Sequence, residues 1–163
     1  IGALLLFNCL NFIHIMKEYI RDKRSPRPLK ESTSKVMSAN RAKNTKPELL
    51  VRKALWENSV RGYRLNWKKA PGRPDIAFPG KEIAIFINGC YWHRCPRCDL
   101  SLPKSNIEFW KEKFERNIAR DKRKNEELLD LGWNVLVLWE CDIKSNISVS
   151  VDKVKKVLSV KEK

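Results

Sequence analysis

Gly72-Arg-Pro-Asp-Ile-Ala-Phe78, the turn Pro79-Gly80, Glu82-Ile-Ala-Ile-Phe-Ile-Asn-Gly89 and Cys90-Tyr-Trp-His-Arg-Cys-Pro-Arg-Cys98 form one nearly continuous run of the chain. Asp75 to Phe78 and Glu82 to Asn88 read as strands joined by the turn. In the second, Ile83, Ile85 and Ile87 point one way and Ala84 and Phe86 the other. A strand apolar on both faces belongs inside a sheet covered by helices on both sides. One acid on the first strand, Asp75, one imidazole and three thiols fall within this short span.

Outward from it, Thr45-Lys-Pro-Glu48 is a capping box that opens a helix to about Glu57, with Leu50, Val51, Ala54 and Leu55 as its core face. Tyr63 to Trp67 reads as a strand and Lys68 to Gly72 as a loop. Ser105-Asn-Ile-Glu108 is a second capping box. It predicts the longest helix, to about Leu131, ended by Gly132. Ile107, Trp110, Phe114 and Ile118 are spaced for one face, and Lys113, Asn117, Arg120 and Lys124 for another. Trp133 to Cys141 reads as a fourth strand and Val149 to Val160 as an amphipathic helix. Helix, three strands, helix, strand, helix is an α/β arrangement.

The chain has 163 residues and is 42% hydrophobic, enough for one domain with a real core. Its net charge is +15, from 34 Lys+Arg against 19 Asp+Glu, which favours a polyanionic partner and, with the motifs, nucleic acid. Residues 1–36 read as an extension and 37–163 as the domain. Residues 1–15 are apolar but too short and too broken by Asn for a membrane span. They read as translated upstream sequence with Met16 as the natural start, a membrane anchor being the rival. Lys17 to Lys35 reads as an exposed arm, and the basic Ser38 to Thr45 as a segment that tracks phosphates.

Cys90-x4-Cys95-x2-Cys98 gives three thiolates at zinc-knuckle spacing. Cys141 is the candidate fourth, if the last strand lies parallel to the third so that both C-terminal ends meet. A closed four-ligand site is structural. Unrelated buried cysteines or disulfides are the alternatives. Asp75 with Glu48 can supply oxygens to Mg²⁺, although Pro-Asp is also a common turn and Glu48 also a capping acid. His93 can be a general base, a zinc ligand or a core histidine. Tyr91, Trp92 and Trp110 can wedge between base steps or fill a core. Lys113, Asn117, Arg120 and Lys124 can follow a phosphate backbone or form a solvated face.

Asn44-Thr-Lys-Pro-Glu48, Gly72-Arg-Pro-Asp75, Phe86-Ile-Asn-Gly-Cys-Tyr-Trp-His93, Phe109-Trp110, Asn117-x-x-Arg-Asp121 and Gly132-Trp-Asn-Val-Leu-Val-Leu-Trp-Glu-Cys141 together resemble the very short patch repair (Vsr) endonucleases. The resemblance covers roughly Met37 to Cys141. It implies a restriction-endonuclease-like, PD-(D/E)XK fold with a central mixed sheet flanked by helices and a structural zinc site. The implied activity is Mg²⁺-dependent nicking of double-stranded DNA beside T·G mismatches left by deaminated 5-methylcytosine. It implies a cytoplasmic, nucleoid-associated prokaryotic monomer without a membrane role. That protein works alongside mismatch-repair proteins and a cytosine-5 DNA methyltransferase. By motif, the Mg²⁺ site falls on Asp75 and the Ile87 carbonyl, and catalysis on Asp75, His93 and Glu48. Zinc falls on Cys90, Cys95, Cys98 and Cys141, and intercalation on Tyr91, Trp92 and Trp110. The superfamily's Glu-x-Lys is absent, Asn88 stands where some members carry a second active-site histidine, and all four zinc ligands are thiolates. A related nuclease with another DNA target, restriction-linked or phage, and a non-catalytic zinc-stapled DNA-binding module are the alternatives.

Overall fold

The computed structural model describes Pro26 and residues 31–160. The expectations for residues 1–25, Met16 included, lie outside the described residues. Residues 31–35, expected in an exposed arm, begin a helix, α1 (Glu31–Ser38), that is largely exposed. Then follow α2 (Lys46–Glu57), β1 (Arg64–Leu65), β2 (Ile76–Phe78), a 3-10 turn (Pro79–Lys81), β3 (Ile83–Asn88), α3 (Ile107–Asp130), β4 (Asn134–Trp139), α4 (Glu140–Ser145) and α5 (Ile147–Val160).

The four strands form one mixed sheet in the order β1-β2-β3-β4. β1 and β2 pair antiparallel, as do β2 and β3, while β4 lies parallel to β3. The two-faced reading of β3 holds. Ile83, Ile85 and Ile87 pack with Val51, Ala54 and Leu55 of α2, Leu138 of β4, Ile143 of α4, and Val151 and Val154 of α5. On the opposite face Ala84 packs with Ala70 and Leu128, flanked by Phe86, Trp67, Trp133 and Val135. Helices α2, α4 and α5 therefore cover one face and α3 the other. Truncating a fully buried isoleucine such as Ile85 to alanine would cost about 2–5 kcal/mol.

Several elements differ from the sequence reading. Leu50 is 47% exposed, and the residue buried in its stead is Glu48 at 5%. The second capping box does not form. Asn106 is the N-cap of α3 in left-handed backbone, without a side-chain cap bond. Ile107 and Ile118 are exposed, whereas Trp110, Phe114 and Leu128 are buried. The inward stripe of α3 is Trp110, Phe114, Asn117, Asp121, Lys124 and Leu128. It turns polar in the middle because that part of the helix borders a cleft rather than the sheet. β4 ends at Trp139, so Cys141 sits in the first turn of α4 rather than on a strand. Among the described residues no helix is long and apolar enough to cross a membrane.

Candidate active site and thiol cluster

Asp75 is set where β2 begins to part from β3. The Asn66 amide donates to its carbonyl at 3.1 Å. The Ile87 amide donates to its Oδ2 at 2.7 Å. One carboxylate oxygen is thus tied to β3 and Oδ1 is left for other partners. Burial raises this carboxyl to about 6; the Ile87 bond opposes the rise, the Glu48 charge adds to it, and the charges of His93 and Arg52 lower it.

The first capping box is formed. Thr45 Oγ1 accepts the Glu48 amide at 3.5 Å and donates to Glu48 Oε1 at 2.8 Å. The Thr45 amide reaches Oε1 at 3.4 Å and the Asn44 amide reaches Oε2 at 3.0 Å. Arg52 approaches Oε2 at 3.7 Å. Glu48 is therefore a buried helix cap whose charge also acts on Asp75.

His93 stands on a single helical turn that continues β3. Its amide donates to the Gly89 carbonyl at 3.1 Å, and the Cys95 amide to the Cys90 carbonyl at 3.0 Å. Its Nδ1 is joined to Asp121 Oδ2 in a short contact. Burial alone would raise Asp121, but the hydrogen bond and charge of His93 and the charge of Arg120 outweigh it and hold the carboxyl below its ordinary value. An ionised carboxylate only accepts, so Nδ1 carries the proton, and in the neutral ring it is Nε2 that has the lone pair. Glu48, Asp75, Ile87, Asn88, His93 and Asp121 all line one cleft of about 890 Å³.

The parallel register places the thiols. Asn88 pairs with Trp139, so Cys90 and Cys141 lie equally far beyond the paired ends of β3 and β4. The sulfurs of Cys90, Cys95, Cys98 and Cys141 all lie within 4.8 Å of one another. Cys95 and Cys141 are 3.9 Å apart, near the ~3.8 Å edge of a tetrahedron with metal–sulfur bonds of about 2.3 Å. The four cysteines can hold a metal ion. Burial pushes Cys90 up to about 12. At Cys95 the amides of Arg97 and Cys98 and the neighbouring thiols outweigh burial, drawing it down to about 7. Around the cluster, Glu140 Oε2 accepts the Cys90 amide at 3.2 Å. The Arg97 guanidinium lies 3.7 Å from the Cys141 sulfur and 2.8 Å from Asp142.

The sequence model of the family described as DNA mismatch endonuclease Vsr matches residues 28–99. The chain is 43% identical to the type II nicking enzyme V.XorIIP of Xanthomonas oryzae over 66% of this chain and 79% of that protein. It is 36% identical to the type II nicking enzyme V.NmeDIP of Neisseria meningitidis over 81% of this chain and 89% of that protein. It is 34% identical to the DNA mismatch endonuclease Vsr of Escherichia coli K12, over 71% and 73% respectively. This chain belongs to the Vsr family.

In this Vsr-family chain the aromatic residues form a cluster of their own over the N-terminal half of α3. The Tyr91 ring packs edge-on against Phe114 at 5.4 Å, and Trp92 lies 6.0 Å from Trp110. Tyr91 and Trp92 are half-buried, while Trp110 is buried. The cysteine loop thus has more core of its own than its sequence implies. Lys113 Nζ sits 5.0 Å from the Trp110 ring. Asn117 donates to the Trp92 carbonyl at 3.1 Å. Arg120 reaches Asp121 at 3.3 Å and Lys124 reaches Glu127 at 2.8 Å.

Asp121 received no role from sequence. Its signal was present: it lies four residues after Asn117, on a stripe that begins at Trp110 and Phe114 and ends at Leu128. A carboxylate at such a position needs a partner, and His93 is that partner.

Proposed function

We propose that this Vsr-family chain is a Mg²⁺-dependent endonuclease of the PD-(D/E)XK type. It nicks one strand of duplex DNA beside a T·G mismatch. The observation that carries the reading is the convergence, in one cleft of a protein of net charge +15, of a half-buried Asp75 with one oxygen committed and an imidazole whose Nδ1 is committed to Asp121.

The donor set suits a divalent ion. Asp75 Oδ1 and the Ile87 carbonyl would hold it. A half-buried carboxyl raised to about 6 by desolvation, with Glu48 adding to the rise, has much to gain from a cation. When bound, Mg²⁺ polarises the phosphate and offsets the charge that builds up as water attacks. Nε2 of His93 takes the proton from the attacking water as its oxygen bonds to phosphorus and a bridging ester oxygen leaves. Asp121 holds the imidazole in the tautomer that can do so and stabilises the imidazolium that forms. Glu48 orders water or the imidazole from its place at the start of α2. Asn88 can hydrogen-bond phosphate or water but takes no proton, so the base work falls on His93.

Zinc in the four-thiolate cluster has no open position and acts on the fold. It ties the turn bearing His93 to the start of α4. Tyr91 and Trp92, backed by Trp110 and Phe114, wedge the duplex where weak pairing lowers the cost of unstacking. Lys113, Asn117, Arg120 and Lys124 lie along the same helix for backbone or base contacts. The substrate arises when a cytosine-5 methyltransferase's product deaminates, and mismatch-repair proteins act on the same lesion.

The names of relatives such as V.XorIIP, a type II nicking enzyme, favour a second reading in which the chemistry is the same but the DNA target differs. One assay separates them. A T·G duplex, a matched T·A duplex and single strands are incubated with Mg²⁺ and either wild type or Asp75→Ala. Nicking of T·G alone, lost in the variant, supports the first reading. Equal cutting of T·A supports the second. Tight binding with no cutting under any divalent ion overturns both.

A further inference from the structure

The cleft carries three acids, Glu48, Asp75 and Asp121, and a polyanion entering it needs cations that are not already engaged. β3 brings none, since it reads Ile-Ala-Ile-Phe-Ile-Asn. The α3 cations on the cleft are bound to their own helix, Arg120 to Asp121 and Lys124 to Glu127.

The hairpin between β1 and β2 supplies others. Beyond β1 the Trp67 amide continues the pairing to the Pro74 carbonyl at 3.3 Å, and the Arg73 amide closes the tip on Ala70 at 3.3 Å. This tip is docked. Trp67 packs on Trp133 with ring centroids 5.5 Å apart, and Ala70 is buried beside Leu128. Gly72 has φ +73, and a Cβ there would lie 3.1 Å from both Lys124 Cβ and Phe86 Cζ, so only glycine lets the tip sit this close to α3.

The apolar side of the hairpin is thus spent on anchoring, and Lys68 and Arg73 are left exposed on the cleft wall. Arg41 and Lys43 also line the cleft. None of these four cations has an ion-pair partner among the described residues. Arg73 has φ 53 directly before Pro74. That backbone suits glycine and is disfavoured for a side-chain-bearing residue ahead of proline, so an arginine there is held against its local preference.

We propose that Lys68 and Arg73 are a phosphate clamp that binds DNA backbone phosphates flanking the one at Asp75. They supply the positive charge that β3 lacks. The proposal rests on the DNA-cleaving reading above.

The test is duplex binding by fluorescence anisotropy in EDTA, across a range of salt concentrations, for wild type, Lys68→Gln, Arg73→Gln, the double variant, Arg73→Lys and Arg73→Gly. Each lost phosphate contact flattens the slope of log affinity against log salt by about 0.9, so the double variant loses about 1.8. Arg73→Lys retains the wild-type slope. Arg73→Gly matches Arg73→Gln in slope yet melts at or above the wild-type temperature, because glycine accepts the backbone; a purely structural Arg73 would give the reverse. Lys122→Gln, which removes a cation paired to Glu126 on the outer side of α3, leaves the slope unchanged. A wild type that binds with an unaltered slope in the folded double variant overturns the clamp and leaves the nuclease reading standing. A wild type that does not bind duplex DNA overturns both.

Discussion

His93 and Asp121 stand 28 residues apart in sequence and meet through Nδ1 and Oδ2. The contact joins a turn held by the thiol cluster to the middle of α3, at the point where that helix's inward face becomes polar. It gives the imidazole one tautomer and one orientation. Asp121→Asn can reverse the polarity of the bond by donating to Nδ1, which would move the proton to Nε2, the atom proposed as the base. The expected outcome is a fall of about 10²- to 10⁴-fold in single-turnover nicking at saturating DNA, with duplex affinity nearly unchanged. Adding His93→Ala should bring little further loss, since the pair acts as a unit. Additive losses would mean that Asp121 acts independently of His93.

Asp75 links the site to stability through pH. Its folded value of about 6 lies above the ordinary 3.8, with burial the largest cause. Between those values the metal-free folded protein holds a proton that the unfolded chain has lost. Its favourable contribution is therefore complete below pH 4 and is lost as pH rises through 6. Asp75→Asn keeps an acceptor for the Ile87 amide but cannot ionise. In EDTA it should melt above wild type at pH 8, by the equivalent of up to about 3 kcal/mol, with the two curves converging near pH 4. Mg²⁺ should narrow the gap by stabilising wild type alone. A variant that melts lower than wild type at pH 8 in EDTA would contradict this origin for the shift.

Much of this arrangement was legible because it rests on local chemistry. The two-faced apolar run of Ile83 to Ile87 specifies a strand covered on both sides, and Thr45-x-x-Glu48 specifies a helix start, since the atoms that satisfy the end of α2 lie within one turn. The thiol set was legible once β3 and β4 were taken as parallel. What failed depended on contacts distant in sequence. Ser105 to Glu108 has the residues of a capping box, but the chain enters α3 with Asn106 in left-handed backbone, so the box does not close. Ile107 and Ile118 have the spacing of a core face, yet the direction of that face is set by where Phe114 and Leu128 meet the rest of the molecule. Asp121 gains meaning only from a partner 28 residues away.

Glu48 has two roles that can be separated. As a cap it shares its work with Thr45, whose hydroxyl lies 2.8 Å from Oε1. Thr45→Ala should cost about 1 kcal/mol of stability and leave nicking well below the melting temperature nearly intact. Glu48→Gln also weakens the cap, because one oxygen becomes a donor facing the Asn44 amide, and it removes the charge that acts on Asp75. If Glu48 serves the chemistry, its variant loses far more rate than Thr45→Ala at comparable loss of stability. Equal rates in the two variants would leave Glu48 as a cap alone. Thermal melts alongside single-turnover nicking decide between them.

The thiol cluster should behave as scaffold even though its loss is expected to weaken nicking. Cys90 is followed at once by the turn bearing His93, and its amide is held by Glu140 at the start of α4. Removing a metal held there would free Cys141 from Cys90, and with it the alignment of that turn against α3. Wild type is expected to carry one zinc by elemental analysis. Cys141→Ser should lose zinc, melt several degrees lower and nick poorly. Unchanged zinc content with an unchanged fold would exclude Cys141 as a ligand. Exchange of zinc for cadmium separates scaffold from chemistry. Four thiolates accept the softer ion, so a structural site should return both melting temperature and nicking in Mg²⁺ to near their original levels. A metal that took part in hydrolysis would change the rate with its identity. Restored stability with persistently altered nicking would therefore place this cluster in the reaction itself.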